Sequence, residues 1–144
     1  MGKVVTEVTI VNRLDQGLAE RGVIRPDQVR SIELHNVLVD TGATTLALPR
    51  QIVEALGLHL LEEIPVGTAA GVRRLELYED AKITVMGRTG TFECLAIDDA
   101  SDALLGVIPL ERLGLELDLQ GQRLILLPER GDKTYWLAPS PVMR

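Results

Sequence analysis

The amino-acid sequence predicts an all-β domain, a small barrel or sandwich carrying two short helices. Short runs rich in Val, Ile, Thr and Leu recur along the chain and are separated by turns bearing Gly. Only two segments, Pro49 to Gly57 and Pro109 to Leu113, read as helices. Many short strands joined by Gly-rich turns favour a barrel or sandwich over a parallel α/β sheet.

Taken in order, Lys3 to Val11 alternates apolar residues with polar ones and is rich in β-branched types, which is strand chemistry. Asn12 to Pro26 holds two Gly, one Pro and several charges, and reads as a connection. Val29 to Val39 is a second extended stretch, ending in Val37-Leu38-Val39, a run expected to be buried on both sides. In Pro49 to Gly57 the proline suits the first helical turn. Ile52, Val53 and Leu56 share one face there, and Gly57 supplies the stop. Strand signals return in Ile64 to Thr68, Leu75 to Met86 and Thr91 to Ile97, with hairpin turns expected at Ala69-Ala70-Gly71 and Gly87-Arg88. After the helix at Pro109 to Leu113, Leu117 to Leu127 reads as two strands around Gln120-Gly121.

Length and composition bound the function. The 144 residues suit one domain over 1–128 and a tail over 129–144, and 46% apolar with 25% charged residues is the balance of a folded chain. The net charge of −6, with no basic run beyond Arg73-Arg74, argues against nucleic-acid binding. No stretch approaches the roughly 18 apolar residues of a membrane span, and no secretory leader is read at the N-terminus, so a cytoplasmic protein is the expectation. Met1-Gly2-Lys3-Val4-Val5-Thr6 fits the loose myristoylation pattern, but a strand is the preferred reading. The single cysteine, Cys94, lies in an apolar run and is expected to be a buried, inert thiol.

The chemistry concentrates at Asp40-Thr41-Gly42. An apolar strand delivers Asp40 to its end, Gly42 can bring its N–H close to the carboxylate, and Thr41 offers a hydroxyl that can lock the loop. Alone, the tripeptide is compatible with an ordinary turn closed by an Asx hydrogen bond. Its surroundings are more specific. Val37-Leu38-Val39-Asp40-Thr41-Gly42-Ala43 resembles the active-site motif of retropepsin-like aspartic proteases. That family also carries an apolar pair followed by Gly before a short helix, matched here by Leu104-Leu105-Gly106, with Gly106 lying 66 residues after Asp40. A hairpin with its tip at Ala69-Ala70-Gly71 falls between the two, where the family has its flap. The resemblance covers roughly Val29 to Leu127.

The resemblance implies a retropepsin-like acid-protease half-domain: a closed β-barrel with a flap hairpin and one or two short helices. It implies an aspartic endopeptidase that acts on a peptide or protein substrate, needs no cofactor or metal, and is active as a homodimer. One Asp-Thr-Gly occurs in the chain, so the second carboxylate of the dyad would be the Asp40 of a second copy across a two-fold axis. Two carboxylates so close titrate apart, a property general to aspartic proteases rather than one this sequence reveals. By the same resemblance, Thr41 would bond across the interface and Gly42 would orient the carboxylates. Ala69, Ala70 and Gly71 would close over substrate, and Leu38, Ala43, Ala69 and Ile108 are candidates for pocket walls.

Departures and rivals complete the reading. Retroviral members commonly carry two Asp after Asp-Thr-Gly-Ala and an Arg after the apolar-apolar-Gly. This chain has Thr44-Thr45 and Val107, so both sides of any such ion pair are absent together. In the tail, Tyr135-Trp136-Leu137 is a candidate dimer strand, alternatively packed on its own subunit or disordered. A non-catalytic dimeric binding module on the same fold is the first rival. A metal-dependent hydrolase would need His35, His59, Asp98, Asp99 and Asp102 to converge, and their spacing matches no ligand pattern. Ser31, Ser101 and Ser140 sit in no nucleophile elbow.

Overall fold

The computed structural model describes residues 3–127. Among these residues, nine strands and three short α-helices follow one another as β1 (Val5–Asn12), α1 (Arg13–Glu20), β2 (Ser31–Val39), β3 (Leu46–Pro49), α2 (Arg50–Leu56), β4 (His59–Thr68), β5 (Gly71–Val85), β6 (Arg88–Ile97), β7 (Leu104–Leu105), α3 (Val107–Arg112), β8 (Leu115–Asp118) and β9 (Arg123–Leu126). A 3-10 turn covers Pro26–Gln28. The tail from 128 onward, with its candidate dimer strand, lies outside the described residues.

β1 pairs with β2 on one side and β5 on the other, which closes β1-β2-β7-β3-β6-β5 into a ring and removes its sheet edges. β4 stands outside the ring, paired to the first half of the 15-residue β5. A register shift between Tyr78 and Ala81 marks the division of labour along β5. Before it the strand runs in the projecting hairpin, and after it the strand closes the barrel on β1. Such irregularities bend strands and increase their twist. The interior is aliphatic, built from Val8, Ile10, Val37, Leu46, Leu48, Ile83, Val85 and Leu105, all fully buried.

The strand pattern and the second helix follow the sequence expectation closely. In α2, Val53 and Leu56 are buried and Gly57 ends the helix in the left-handed region at φ +62°. The hairpin between β5 and β6 turns at Met86-Gly87, one residue earlier than expected, with both residues at positive φ. β4 also begins earlier, at His59.

Four expectations are corrected. The connection expected over Asn12 to Pro26 contains α1. Glycine and charge suggested a loop, but the Asn12 side chain caps the helix by accepting from Asp15 N–H at 3.0 Å. Its amide also donates to the carbonyls of Leu56 and Gly57, so one buried side chain joins the ends of β1, α1 and α2. β3 was not expected: its four residues are all buried, between β6 and β7, and too few to show a period. The run Val37-Leu38-Val39 is buried on one side, with Leu38 only half-buried. The last helix begins at Val107, not Pro109, because carbonyls of the 43–44 loop accept its first N–H groups.

Two consequences for stability arise here. Gly17 sits inside α1, and an added Cβ would meet only the end of Arg13 at 3.5 Å. Gly17→Ala should therefore stabilise the protein by about 0.5–1 kcal/mol, read as a higher melting temperature. Asp15, buried in the first turn of α1, accepts two bonds from the Arg30 guanidinium (2.8 and 3.0 Å) and one from Arg30 N–H (3.1 Å). Those bonds hold its carboxyl below the ordinary value, against the opposing pull of burial. A depressed carboxylate stabilises the fold above its unfolded value, about 3.9, and loses that contribution as pH falls through the folded value. With Arg30 half-exposed, Asp15→Asn should cost only about 1–2 kcal/mol at neutral pH. The gap from wild type should narrow below about pH 4 in parallel denaturant titrations.

Candidate active site

Asp40 stands immediately after β2, its position fixed by backbone bonds on both sides. Val39 N–H donates to Val4 C=O at 2.9 Å, and Asp40 N–H donates to Leu105 C=O at 3.0 Å. β2 and β7 are parallel, with Leu38 opposite Leu104 and Val39 opposite Leu105. The chain then turns: Ala43 N–H returns to Asp40 C=O at 3.1 Å, and Gly42 N–H donates to the Asp40 carboxylate at 2.9 Å. A Cβ on Gly42 would lie 3.2 Å from that carboxylate oxygen, closer than side chains ordinarily pack, so glycine suits this approach. Thr41 is exposed beside it.

The apolar-apolar-Gly segment explains how this loop is held. Val107 N–H donates to Ala43 C=O and Ile108 N–H to Thr44 C=O, both at 2.9 Å. These are first-turn donors of α3, groups that lack partners within a helix. The loop's own carbonyls supply the cap, and the helix starts right after Gly106. Pro109 therefore occupies the third helical position, still in the turn where a missing N–H costs nothing. Gly106 permits the contact: a Cβ there would lie 2.5 Å from Thr45 O, 2.7 Å from Ala43 O and 2.7 Å from Thr45 N. Thr45 donates its hydroxyl to Glu93 C=O at 2.9 Å, tying the loop to β6. Thr44, Thr45 and Val107 thus stand in a loop-to-helix contact made by backbone groups, with no buried ion pair required.

The β4–β5 hairpin forms the flap-like projection. Its tip is Ala69-Ala70, with Thr68 opposite Gly71 at φ +111°. The Thr68 hydroxyl donates to Gly71 C=O at 2.6 Å and accepts from Ala70 N–H at 3.2 Å. Ion pairs brace its shaft. Arg74 bonds Glu63 across the hairpin at 2.8 Å. Arg50, at the start of α2, bonds Glu76, which also accepts from the Tyr78 hydroxyl at 3.1 Å. The Arg50 bond, then the Tyr78 bond, holds the Glu76 carboxyl below its usual value. Two open clefts flank this region. One, of about 370 Å³, includes Leu38, Thr68, Leu75 and Leu104. The other, of about 500 Å³, includes Thr44, Thr45, Ile64, Leu77 and Ile108.

The structure brings Asp40, Thr41, Gly42 and Ala43 into one loop. It places Leu38 and Ile108 on cleft walls. Ala69, Ala70 and Gly71 lie at the hairpin tip, beyond either cleft lining; the hairpin contributes Thr68, Arg73 and Leu75 to one cleft and Ile64, Pro65, Val66, Gly67 and Leu77 to the other. The residues weighed as metal ligands are engaged separately. His35 pairs with Glu7 and His59 with Glu79. Asp98 faces Arg73, and Asp99 accepts from Gln51 N–H at 2.9 Å, capping α2. Among the described residues, Glu7, Glu33 and His35 do converge, as an exposed cluster on β1 and β2. Burial pushes the Cys94 thiol up to about 12, which removes it as a nucleophile at neutral pH. Two elements escaped sequence reasoning, the Asp99 cap and the Arg50–Glu76–Tyr78 brace. Both join positions at least 26 residues apart apart from the Glu76–Tyr78 contact, and neither leaves a local signal.

A closed barrel, a projecting hairpin and an Asp-Thr-Gly loop pinned by an apolar-apolar-Gly segment define a retropepsin-like half-domain. Residues 28–112 match the family model "gag-polyprotein putative aspartyl protease", and the chain belongs to this retroviral-type aspartyl protease family. Among solved structures it is similar to EIAV protease complexed with the inhibitor HBY-793. That similarity has a TM-score of 0.53 and 22% sequence identity, and covers 82% of this chain and 94% of that one. No curated protein sequence matches.

Proposed function

We propose that this protein is an aspartic endopeptidase, active as a homodimer in which two Asp40 carboxylates share one site. The observation that carries this reading is the Asp40 loop itself. A single carboxylate is held at the end of a barrel strand by Gly42 N–H and backed by α3, beside a hairpin long enough to cover a bound peptide. A binding module has no need to bring two like charges together, which weighs against the non-catalytic alternative.

The chemistry follows from the pair. One carboxylate takes a proton from a bound water while the other donates to the scissile carbonyl. Water attacks without a covalent intermediate, and the protons belong to the dyad rather than to either chain. The exposed Thr41 hydroxyl is available to bond across the two-fold axis. Closure of the hairpin, with Ala69 to Gly71 at its tip, would exclude water.

The test is cleavage of an unbiased peptide mixture by concentrated protein, scanned from acid to neutral pH, with sedimentation run on the same samples. Cleavage suppressed by pepstatin-like inhibitors, and falling more steeply than linearly on dilution, is the expected result. A dimeric protein that cleaves nothing at any pH would move the assignment to a binding module.

A further inference from the structure

The cleft that includes Leu38 carries an unequal set of charges. Its floor is apolar and half-open, from Leu38, Leu75, Ile97 and Leu104. Its rim holds two carboxylates, Asp98 and Asp102, against one guanidinium, Arg73. Asp40 is not among its lining residues, but Leu38 and Leu104 are, and Leu38 N–H and Asp40 N–H both bond toward β7, at the carbonyls of Ala103 and Leu105. Leu38 lies two residues before Asp40 along the same extended chain, so the two side chains leave on the same side, roughly 6.6 Å apart along the strand. Leu104 is paired with Leu38 in register. A peptide presenting its scissile bond to Asp40 would place a neighbouring side chain in this cleft.

We infer that the cleft selects a basic side chain next to the scissile bond, with Asp98 and Asp102 as specificity-determining residues. This rests on the reading of Asp40 as the reacting carboxylate. A lysine or arginine matches both parts of the cleft, its methylene stem lying on Leu38, Leu75 and Leu104 and its charged head reaching the rim. The cations already present do not saturate that rim. Arg73 stands 3.6 Å from Asp98 and Lys3 stands 4.0 Å from Asp102, outside ordinary hydrogen-bond reach, and all four side chains are more than half exposed. A substrate ammonium or guanidinium can bond those carboxylates directly, and charge-assisted bonds of that kind are the stronger class.

The test uses the full chain with Asp40→Asn, so that binding is read without turnover, against a peptide array. The peptides are identical except at one central position, which is lysine, arginine, norleucine or glutamate. Lysine and arginine peptides should bind about tenfold more tightly than norleucine, and glutamate least. Asp102→Asn, combined with Asp98→Asn, should remove that order, and Asp102→Lys should reverse it. These positions are exposed, and a circular-dichroism melt of each variant checks its fold. Binding that ignores charge, or no binding by any peptide, would overturn the inference. So would a basic preference that survives both substitutions, because the net charge of −6 alone would then account for it. Cleavage of the same peptides by the wild-type chain separates the two readings. Cleavage without a basic preference overturns the specificity alone. The binding order without any cleavage upholds the cleft's preference and overturns the protease.

Discussion

Replacing Asp40 with Asn should lower peptide cleavage by about 10³-fold or more while leaving the protein folded, since a neutral amide can neither accept the water's proton nor donate a carboxyl proton. The Asn carbonyl oxygen can still accept from Gly42 N–H, so the bond that shapes the loop survives. In the proposed dimer, stability should hold or rise, because the two Asp40 charges would no longer face each other. The same variant gives a second readout. Mixed in excess with wild-type chains under exchanging conditions, it should poison activity, as each mixed dimer keeps one carboxylate. Undiminished cleavage by the variant alone would remove Asp40 from the chemistry. Wild-type activity untouched by excess variant would remove the shared site.

Gly106→Ala should be the most damaging small substitution in the barrel. The new Cβ would meet backbone atoms at 2.5 and 2.7 Å, and backbone cannot rotate away as a side chain can. Relief requires separating α3 from the 43–45 loop, which breaks the Val107–Ala43 and Ile108–Thr44 bonds and frees the segment next to Asp40. A destabilisation of about 3 kcal/mol or more is expected in denaturant titrations, with most activity lost in whatever still folds. Gly67→Ala is the control. Nothing lies within 4 Å of a Cβ there and its backbone is not left-handed, so stability should stay within about 0.5 kcal/mol of wild type. Equal effects from the two substitutions would refute the close-approach argument.

Much of the site was legible because its signals are local. The apolar run before Asp40, the Gly two residues after it and the Leu104-Leu105-Gly106 segment are each a few residues long. Each imposes a backbone demand that only certain residue types meet. The hairpins were legible for the same reason, since turn chemistry is written in two or three residues. α1 was not, because its Asn12 cap opens a segment read as a connection, whose Gly17, Gly22 and charges mimic a loop. β3 was not, because four residues buried on both faces carry no period.

By itself the sequence determined the all-β class, the helix ending at Gly57, the hairpins and the loop that holds Asp40, because each depends on conformational preferences of neighbouring residues. Only the tertiary structure decided that β1 closes the ring on β5. It alone decided that the 43–45 loop caps α3 through Gly106, and that Asp98 and Asp102 share a cleft wall with Leu38. Those contacts join residues about 50 or more positions apart. They arise because buried donors and apolar faces must find partners wherever the fold supplies them, and local sequence carries no record of where that is.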